Sequence, residues 1–200
     1  MSVLVGKQAP DFTVPAVLAS GEIVDAFSFS EATRGKYAVV FFYPLDFTFV
    51  CPSELIAVDH RMAEFTQRNV EVIGVSIDSH FTHNAWRNTP VNQGGIGAVG
   101  YTLAADITHS ICKDYDVESA MGVAYRGSFL IDRSGVVRHQ VVNDLPLGRS
   151  FDDMLRVVDA LQFFEEHGEV CPAGWKKGDA GMNASPAGVA AYLAENADKL

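Results

Sequence analysis

The chain has 200 residues, 48% of them hydrophobic, and a formal charge of −10 from 25 acidic against 15 basic residues. Its length and apolar content fit one globular domain with room for an appended arm. The acidic balance argues against nucleic acid or an anionic membrane as a partner, since both call for clustered cations, and no run approaches the roughly 18 apolar residues of a membrane span.

Residues 1–7 show neither a charged leader nor a long apolar core, so no signal peptide is expected. Residues 1–30 read as an entry loop with short strands, Ser20-Gly21 turning between 14–18 and 23–29. Ala38-Val39-Val40-Phe41-Phe42-Tyr43 is a continuous apolar run, the mark of a buried central strand in a parallel sheet. After it, Leu55, Val58, Met62 and Phe65 recur at helical spacing. Cys51 therefore sits where a strand hands over to a helix, with Pro52 suited to the first helical position. The unpaired N–H groups and dipole of a helix start favour an anion, and the thiolate is the nucleophilic form of cysteine.

Residues 70–78 form a second apolar strand, and 81–87 a short helix with Phe81 and Ala85 on one face. Gly94-Gly95-Ile96-Gly97 is a loop, 101–104 a strand, and 108–114 one or two helical turns. The pattern then changes, with 128–132 and 136–142 flanking the turn Arg133-Ser134-Gly135 as a β-hairpin. A helix starts at Ser150, an N-cap with Asp153 three residues on. Its core face is Phe151, Met154, Leu155, Val158 and Leu161, and Gly168 ends it. Strand–helix alternation closed by a hairpin and a helix means an α/β domain, a mixed β-sheet flanked by helices on both faces. Residues 169–200 are glycine-rich and lack apolar periodicity until Val189, Tyr192 and Leu193, so an extended C-terminal arm is expected, its short final helix capped by Ser185 and begun by Pro186. The domain organisation expected is 1–168 followed by this arm over 169–200.

Three cysteines, Cys51, Cys112 and Cys171, are too few and too odd in number for a secreted disulfide scaffold. A reducing, cytoplasmic setting follows, in which a disulfide would be catalytic. Glu54 stands where a Cys-x-x-Cys pair would place its second thiol. A lone thiolate with a distant partner suits attack on a small electrophile, then resolution by a second cysteine. Cleaving a peroxide O–O bond needs donors aimed at both oxygens and a dry pocket. Thr48 can offer its hydroxyl from the same turn, and Pro44, without an N–H, can close off water without competing for the thiolate. Cys171 lies 120 positions from Cys51 in an arm with no core of its own, a strange place for a structural thiol. Linking the two requires tertiary or quaternary structure to bring their Cα atoms within about 7 Å. Taken alone, Arg126 reads as a surface arginine at a strand entrance, Glu54 as a capping-box side chain, and Trp86 as a core aromatic. His80 and His83 show no metal spacing and read as surface or locally bonded groups, and Cys112 as a partly buried, non-catalytic thiol.

Pro44, Thr48 and Cys51 match the Pro-x-x-x-Thr-x-x-Cys signature of peroxiredoxins, and the segments 47–54, 81–86, 126–132, 144–149 and 167–172 are similar to those of the typical two-cysteine branch, close to the bacterial alkyl hydroperoxide reductase C type. The resemblance spans essentially the whole chain. It implies a thioredoxin-like fold, with Cys51 as the peroxidatic cysteine oxidised to sulfenic acid and Cys171 of the partner subunit as the resolving one. Arg126 would hold thiolate and peroxide, and Glu54 and Arg149 would orient its guanidinium. The resemblance further implies a peroxide substrate, a thioredoxin or a flavoprotein disulfide reductase as electron donor, and a homodimer assembling into a ring, a decamer. With no Gly-x-Gly-x-x-Gly after a strand, no flavin or nicotinamide cofactor is expected, nor any metal. Two other readings remain at this stage: a cysteine hydrolase pairing Cys51 with a histidine base, and a non-enzymatic holdase.

Overall fold

The computed structural model describes residues 2–199; Met1 and Leu200, the outermost residues of the two expected domains, lie outside the described residues. The apolar run becomes β3 (Tyr37–Phe42), buried along its whole length, as a strand with no polar face must be. β3 pairs in parallel with β4 (Val70–Ser76), which pairs in parallel with β5 (Thr102–Ala105). On its other side β3 meets β6 (Arg126–Ile131) antiparallel, and β6 turns at Gly135 into β7 (Val137–Asn143). β1 (Thr13–Val17) and β2 (Ile23–Ser28) form a hairpin whose β1 runs antiparallel to β5. The result is a seven-stranded mixed sheet in the order β2-β1-β5-β4-β3-β6-β7.

Because side chains alternate across a strand, β3 feeds two cores. Ala38, Val40 and Phe42 join Ile73, Val75, Ala104 and Phe129 on one face, with Phe29 of α1 (Phe29–Ala32) and Ile111 and Cys112 of α5 (Ser110–Asp114). On the other face Phe41 lies 5.6 Å, ring to ring, from both Tyr101 and Phe151. Tyr43 lies 6.0 Å from Trp86 of α4 (His80–Asn88). The Tyr101 hydroxyl donates to the Leu55 carbonyl of α2 (Cys51–Asp59) at 2.9 Å. Helices thus cover both faces, as the alternation predicts.

Four local expectations are corrected. The helix after Cys51 is two, α2 and α3 (Met62–Gln67). In a continuous helix the Ala57 carbonyl would take the Arg61 N–H; here the Arg61 guanidinium donates to that carbonyl at 2.8 Å and its N–H turns to Val58. Cys51 is the first helical residue and Pro52 the second. Phe29 leaves the strand because Ser28 caps α1, its hydroxyl accepting from Glu31 N–H. Cys112 is fully buried, and burial foremost, with Asp106 beside it, pushes its thiol far up.

The chain divides into two compact units, the first ending at Phe151 and the second starting at Asp152. The second holds nearly all of α6 (Phe151–His167), the arm and α7 (Pro186–Asn196). Ser185 caps α7, its hydroxyl accepting from Gly188 N–H, and a short 3-10 turn, Ala197–Lys199, follows. Among the described residues no helix is long and apolar enough to cross a membrane.

One loop shows why glycine is needed. Trp86 Nε1 donates to the Gly94 carbonyl at 2.8 Å and Gly95 N–H donates to Pro90 at 3.1 Å, bringing Gly95 so close to Thr89 that a Cβ there would collide with the Thr89 carbonyl oxygen. Gly95→Ala should lower stability by about 1–3 kcal/mol, the usual range for overpacking, read as a lower urea midpoint at unchanged slope; an unchanged midpoint would show that the loop relaxes freely.

Candidate active site

The site is built where β3 ends. Residues 44–50 cross from the sheet to α2, starting at the buried Pro44 and passing through Phe47 in a left-handed backbone conformation (φ 54). Side chains beneath the loop hold it. Asp46 N–H donates to Asp78 Oδ2 at 2.9 Å, and that oxygen also accepts from the Ser76 hydroxyl at 2.7 Å. The Asp46 carboxylate accepts from the Tyr43 hydroxyl at 2.8 Å and pairs with His83 Nδ1 at 2.7 Å. Burial raises the Asp46 carboxyl, with the His83 hydrogen bond pulling against it. Burial, then the Asp46 charge, holds the Tyr43 phenol well above its ordinary range. His83 is completely buried and locally bonded, the second of the two readings its sequence offered, because this network supplies partners to both ring nitrogens, Nε2 lying 3.3 Å from the Ala104 carbonyl.

The loop delivers Thr48 and Cys51 to one point. The Thr48 hydroxyl lies 3.0 Å from Cys51 Sγ and 2.7 Å from the Leu45 carbonyl. With one proton it can serve one acceptor at a time. Cys51 is 1% exposed and sits in the first turn of α2, where helix N–H groups and dipole favour negative charge. Arg126, the first residue of β6, brings Nη1 to 3.5 Å from the sulfur.

That guanidinium is fixed on two more sides. Nη1 also donates to Glu54 Oε2 at 2.6 Å, and Nε donates to the Leu145 carbonyl at 2.7 Å. Glu54 in turn binds Arg149, whose N–H and Nε donate to Oε1 at 2.9 and 2.8 Å and whose Nη2 donates to Oε2 at 3.0 Å. Arg149 Nη1 continues to the Gly127 carbonyl and the Ser128 hydroxyl, at 2.6 and 3.0 Å. Its guanidinium stands 5.5 Å from the ring centres of Phe41 and Phe151, a stacked placement suited to arginine. Burial alone would raise Glu54, but the hydrogen bonds and charge of Arg149, then the charge of Arg126, hold it below the ordinary carboxylate range. The Glu54 side chain is therefore committed to this bridge and not to a capping box.

The site thus concentrates positive charge and hydrogen-bond donors on one enclosed sulfur. Among the described residues no group of three or more His, Cys, Asp or Glu side chains is arranged to hold a metal ion. The sequence pattern of the AhpC/TSA family matches residues 5–140. The chain belongs to this family of peroxiredoxins. It is a thiol-dependent peroxidase. A second pattern, the C-terminal domain of 1-Cys peroxiredoxin, matches residues 160–195, a segment that here contains Cys171. The chain is 58% identical over 198 residues to alkyl hydroperoxide reductase C of Helicobacter pylori, covering 99% of this chain and 100% of that one. It is 55% identical over 175 residues to peroxiredoxin-1 of Gallus gallus, covering 87% of each. The reduced crystal structure of Plasmodium vivax 2-Cys peroxiredoxin superposes with a TM-score of 0.93 at 48% identity, over 96% of this chain and 100% of that one.

Of the residues singled out from sequence, Thr48, Cys51, Glu54, Arg126 and Arg149 meet in one network, with Pro44 buried where the loop begins. Cys171 belongs to the second unit, where its thiol donates to the Ala160 carbonyl at 3.4 Å. Sequence reasoning missed the Leu145 carbonyl, which carries no side-chain signal, and the support given by Asp46, Asp78 and His83.

Glu54→Gln leaves two buried guanidiniums facing a neutral amide, and should cost about 3–5 kcal/mol. Glu54 titrates lower folded than unfolded, so its contribution is whole above the unfolded value near 4.5 and lost as pH falls through the lower folded value. Denaturant titrations from pH 7 down to 3 should show wild-type stability falling more steeply below pH 4.5 than that of Glu54→Gln; parallel curves would exclude Glu54 as the titrating group.

Proposed function

We propose that Cys51 is the peroxidatic cysteine, reducing hydrogen peroxide and organic hydroperoxides, and that Cys171 of another subunit resolves it. The observation that carries this reading is the pair of donors on Cys51 Sγ, the Thr48 hydroxyl at 3.0 Å and Arg126 Nη1 at 3.5 Å. The Cys51 thiolate attacks the terminal peroxide oxygen. An S–O bond forms, the O–O bond breaks, and the leaving oxygen takes a proton to depart as water or an alcohol. Arg126 and Thr48 offer donors to the two oxygens as charge moves from sulfur to the leaving group. Pro44 shuts out water, and Glu54 and Arg149 keep the Arg126 fork aimed. The Cys171 thiol then attacks the sulfenic sulfur, expelling water and leaving a Cys51–Cys171 disulfide, which a thioredoxin or a flavoprotein disulfide reductase returns to two thiols.

The working division is a peroxidase domain over residues 1–168 and an arm over 169–200 that carries the resolving thiol. The protein acts in the cytoplasm, a reading supported by a cysteine count too low and too odd for a secreted disulfide scaffold. It forms a homodimer that closes into a ring, a decamer. The edge strand β7 and Phe49, 96% exposed beside the site, support such contacts. A cysteine hydrolase is disfavoured, because arginine and threonine, not a histidine, adjoin the sulfur.

Peroxide-treated protein should run as a covalent dimer on a non-reducing gel, and Cys171→Ser should not; a dimer persisting in Cys171→Ser would reassign the resolving thiol. Thr48→Val should slow peroxide consumption by about 10²-fold, the usual loss for one transition-state donor, and Arg126→Met by at least as much. Stopped-flow rates within about twofold of wild type would remove either residue from the site.

A further inference from the structure

We propose that Asp78 is a positioning residue for the peroxidase step, one that keeps the Thr48 hydroxyl on Cys51 Sγ by holding the peptide between Leu45 and Asp46. The inference rests on the reading of Thr48 as a donor in that step. A trans peptide is planar, so its N–H and its C=O point in opposite directions and turn together. At this peptide the Asp46 N–H donates to Asp78 Oδ2 at 2.9 Å, while the Leu45 carbonyl on the other edge accepts from the Thr48 hydroxyl at 2.7 Å. Whatever fixes the N–H therefore fixes the carbonyl. That carbonyl in turn holds Thr48 Oγ1 at 3.0 Å from the sulfur.

The anchor has a firm base. Asp78 comes two residues after the end of β4, and its Oδ2 also accepts from the Ser76 hydroxyl at 2.7 Å. Ser76 Oγ accepts in return from the Asp78 N–H at 3.2 Å. Ser76 is completely buried, stands opposite Ala105 of β5, and its carbonyl accepts from the Asp106 N–H at 2.8 Å. The loop that leaves β3 is thus tied to the end of the neighbouring strand.

The loop needs this tie. Phe47, between the anchored peptide and Thr48, has φ of 54, a conformation that costs an L-residue energy and persists only where its surroundings over-determine it. Three contacts do so here. Asp78 holds the peptide, Tyr43 and His83 hold the Asp46 carboxylate, and the Trp86 ring lies 5.8 Å from that of Phe47. The second and third grip side chains, and a side chain can stay in place while the main chain behind it turns. The Asp78 bond grips the main chain itself. Without it the peptide rotates, Phe47 relaxes toward negative φ, and Thr48, next in the chain, moves off the sulfur.

The test uses the full-length reduced protein with Asp78→Ala, Asp78→Asn or Ser76→Ala, each alone and combined with Thr48→Val. Stopped-flow mixing with hydrogen peroxide gives the second-order rate of Cys51 oxidation. Asp78→Ala should slow this step about tenfold, a loss in keeping with a misplacement of less than 1 Å, and Ser76→Ala by a smaller factor. Asp78→Asn keeps an oxygen able to accept from both donors and should stay within about twofold of wild type. In the Thr48→Val background neither Asp78→Ala nor Ser76→Ala should slow the step further, because residues that act through one another are not additive. Ser76→Ala, the smaller change, keeps this comparison open if Asp78→Ala does not fold. General damage to the fold slows both backgrounds alike, so a loss that persists undiminished beside Thr48→Val overturns the proposal. An Asp78→Asn rate as low as that of Asp78→Ala also overturns it, by assigning the effect to charge, as does a wild-type rate in Asp78→Ala. If Thr48→Val itself reacts at the wild-type rate, the role of Thr48 falls instead, and the anchor with it.

Discussion

Glu54 is shared by two buried guanidiniums, and the geometry around Cys51 depends on that sharing. Oε2 takes Arg126 at 2.6 Å and both carboxylate oxygens take Arg149. Without the carboxylate, two positive charges would be enclosed together beside the sulfur, and each would prefer water to the site. With it, Arg126 is clamped at Nη1 by Glu54 and at Nε by the Leu145 carbonyl, and part of its fork points at Sγ. Because Glu54 lies one turn after Cys51 on α2, the same helix supplies both the nucleophile and the counter-ion that aims its cationic partner.

This arrangement also ties distant parts of the first unit together. Arg149, just before α6, reaches Gly127 and Ser128 on β6 and rests against Phe41 of β3, so sheet, helix start and the segment before α6 share one polar centre. The loop into Cys51 has its own foundation in Asp46, Asp78, Tyr43 and His83. Buried polar networks of this kind hold a geometry only when fully partnered, and every link named here has a donor and an acceptor. Thr48 alone is left with a choice, since its single proton faces both a carbonyl and the sulfur. A donor able to change acceptors suits a reaction in which charge moves from sulfur to oxygen.

Much of this was legible in the sequence because it is local. Six consecutive apolar residues, most of them β-branched or aromatic, favour a buried strand, Ser185-Pro186 favours a helix start, and Gly135 between two β-rich runs turns a hairpin. The place of Cys51 at a strand-to-helix junction follows from the same neighbours, as does the presence of Thr48 three residues before it. Where spacing misled, the difference lies in main-chain pairing that spacing does not report: the Arg61 N–H turns to Val58, its guanidinium bonds the Ala57 carbonyl, and the helical stretch is two helices.

The sequence by itself determined the sheet's central strands, the reactive cysteine at a helix start and the glycine-rich character of the arm, because each depends on residues within a few positions of one another. Only the tertiary structure decided which charges meet. Arg126 and Arg149 stand 72 and 95 positions from Glu54, His83 stands 37 from Asp46, and the Leu145 carbonyl that holds Arg126 belongs to the main chain and has no signature at all. Pairings at that separation are set by strand order and register. A charged side chain looks the same in a sequence whether it ends in water or against a buried thiol.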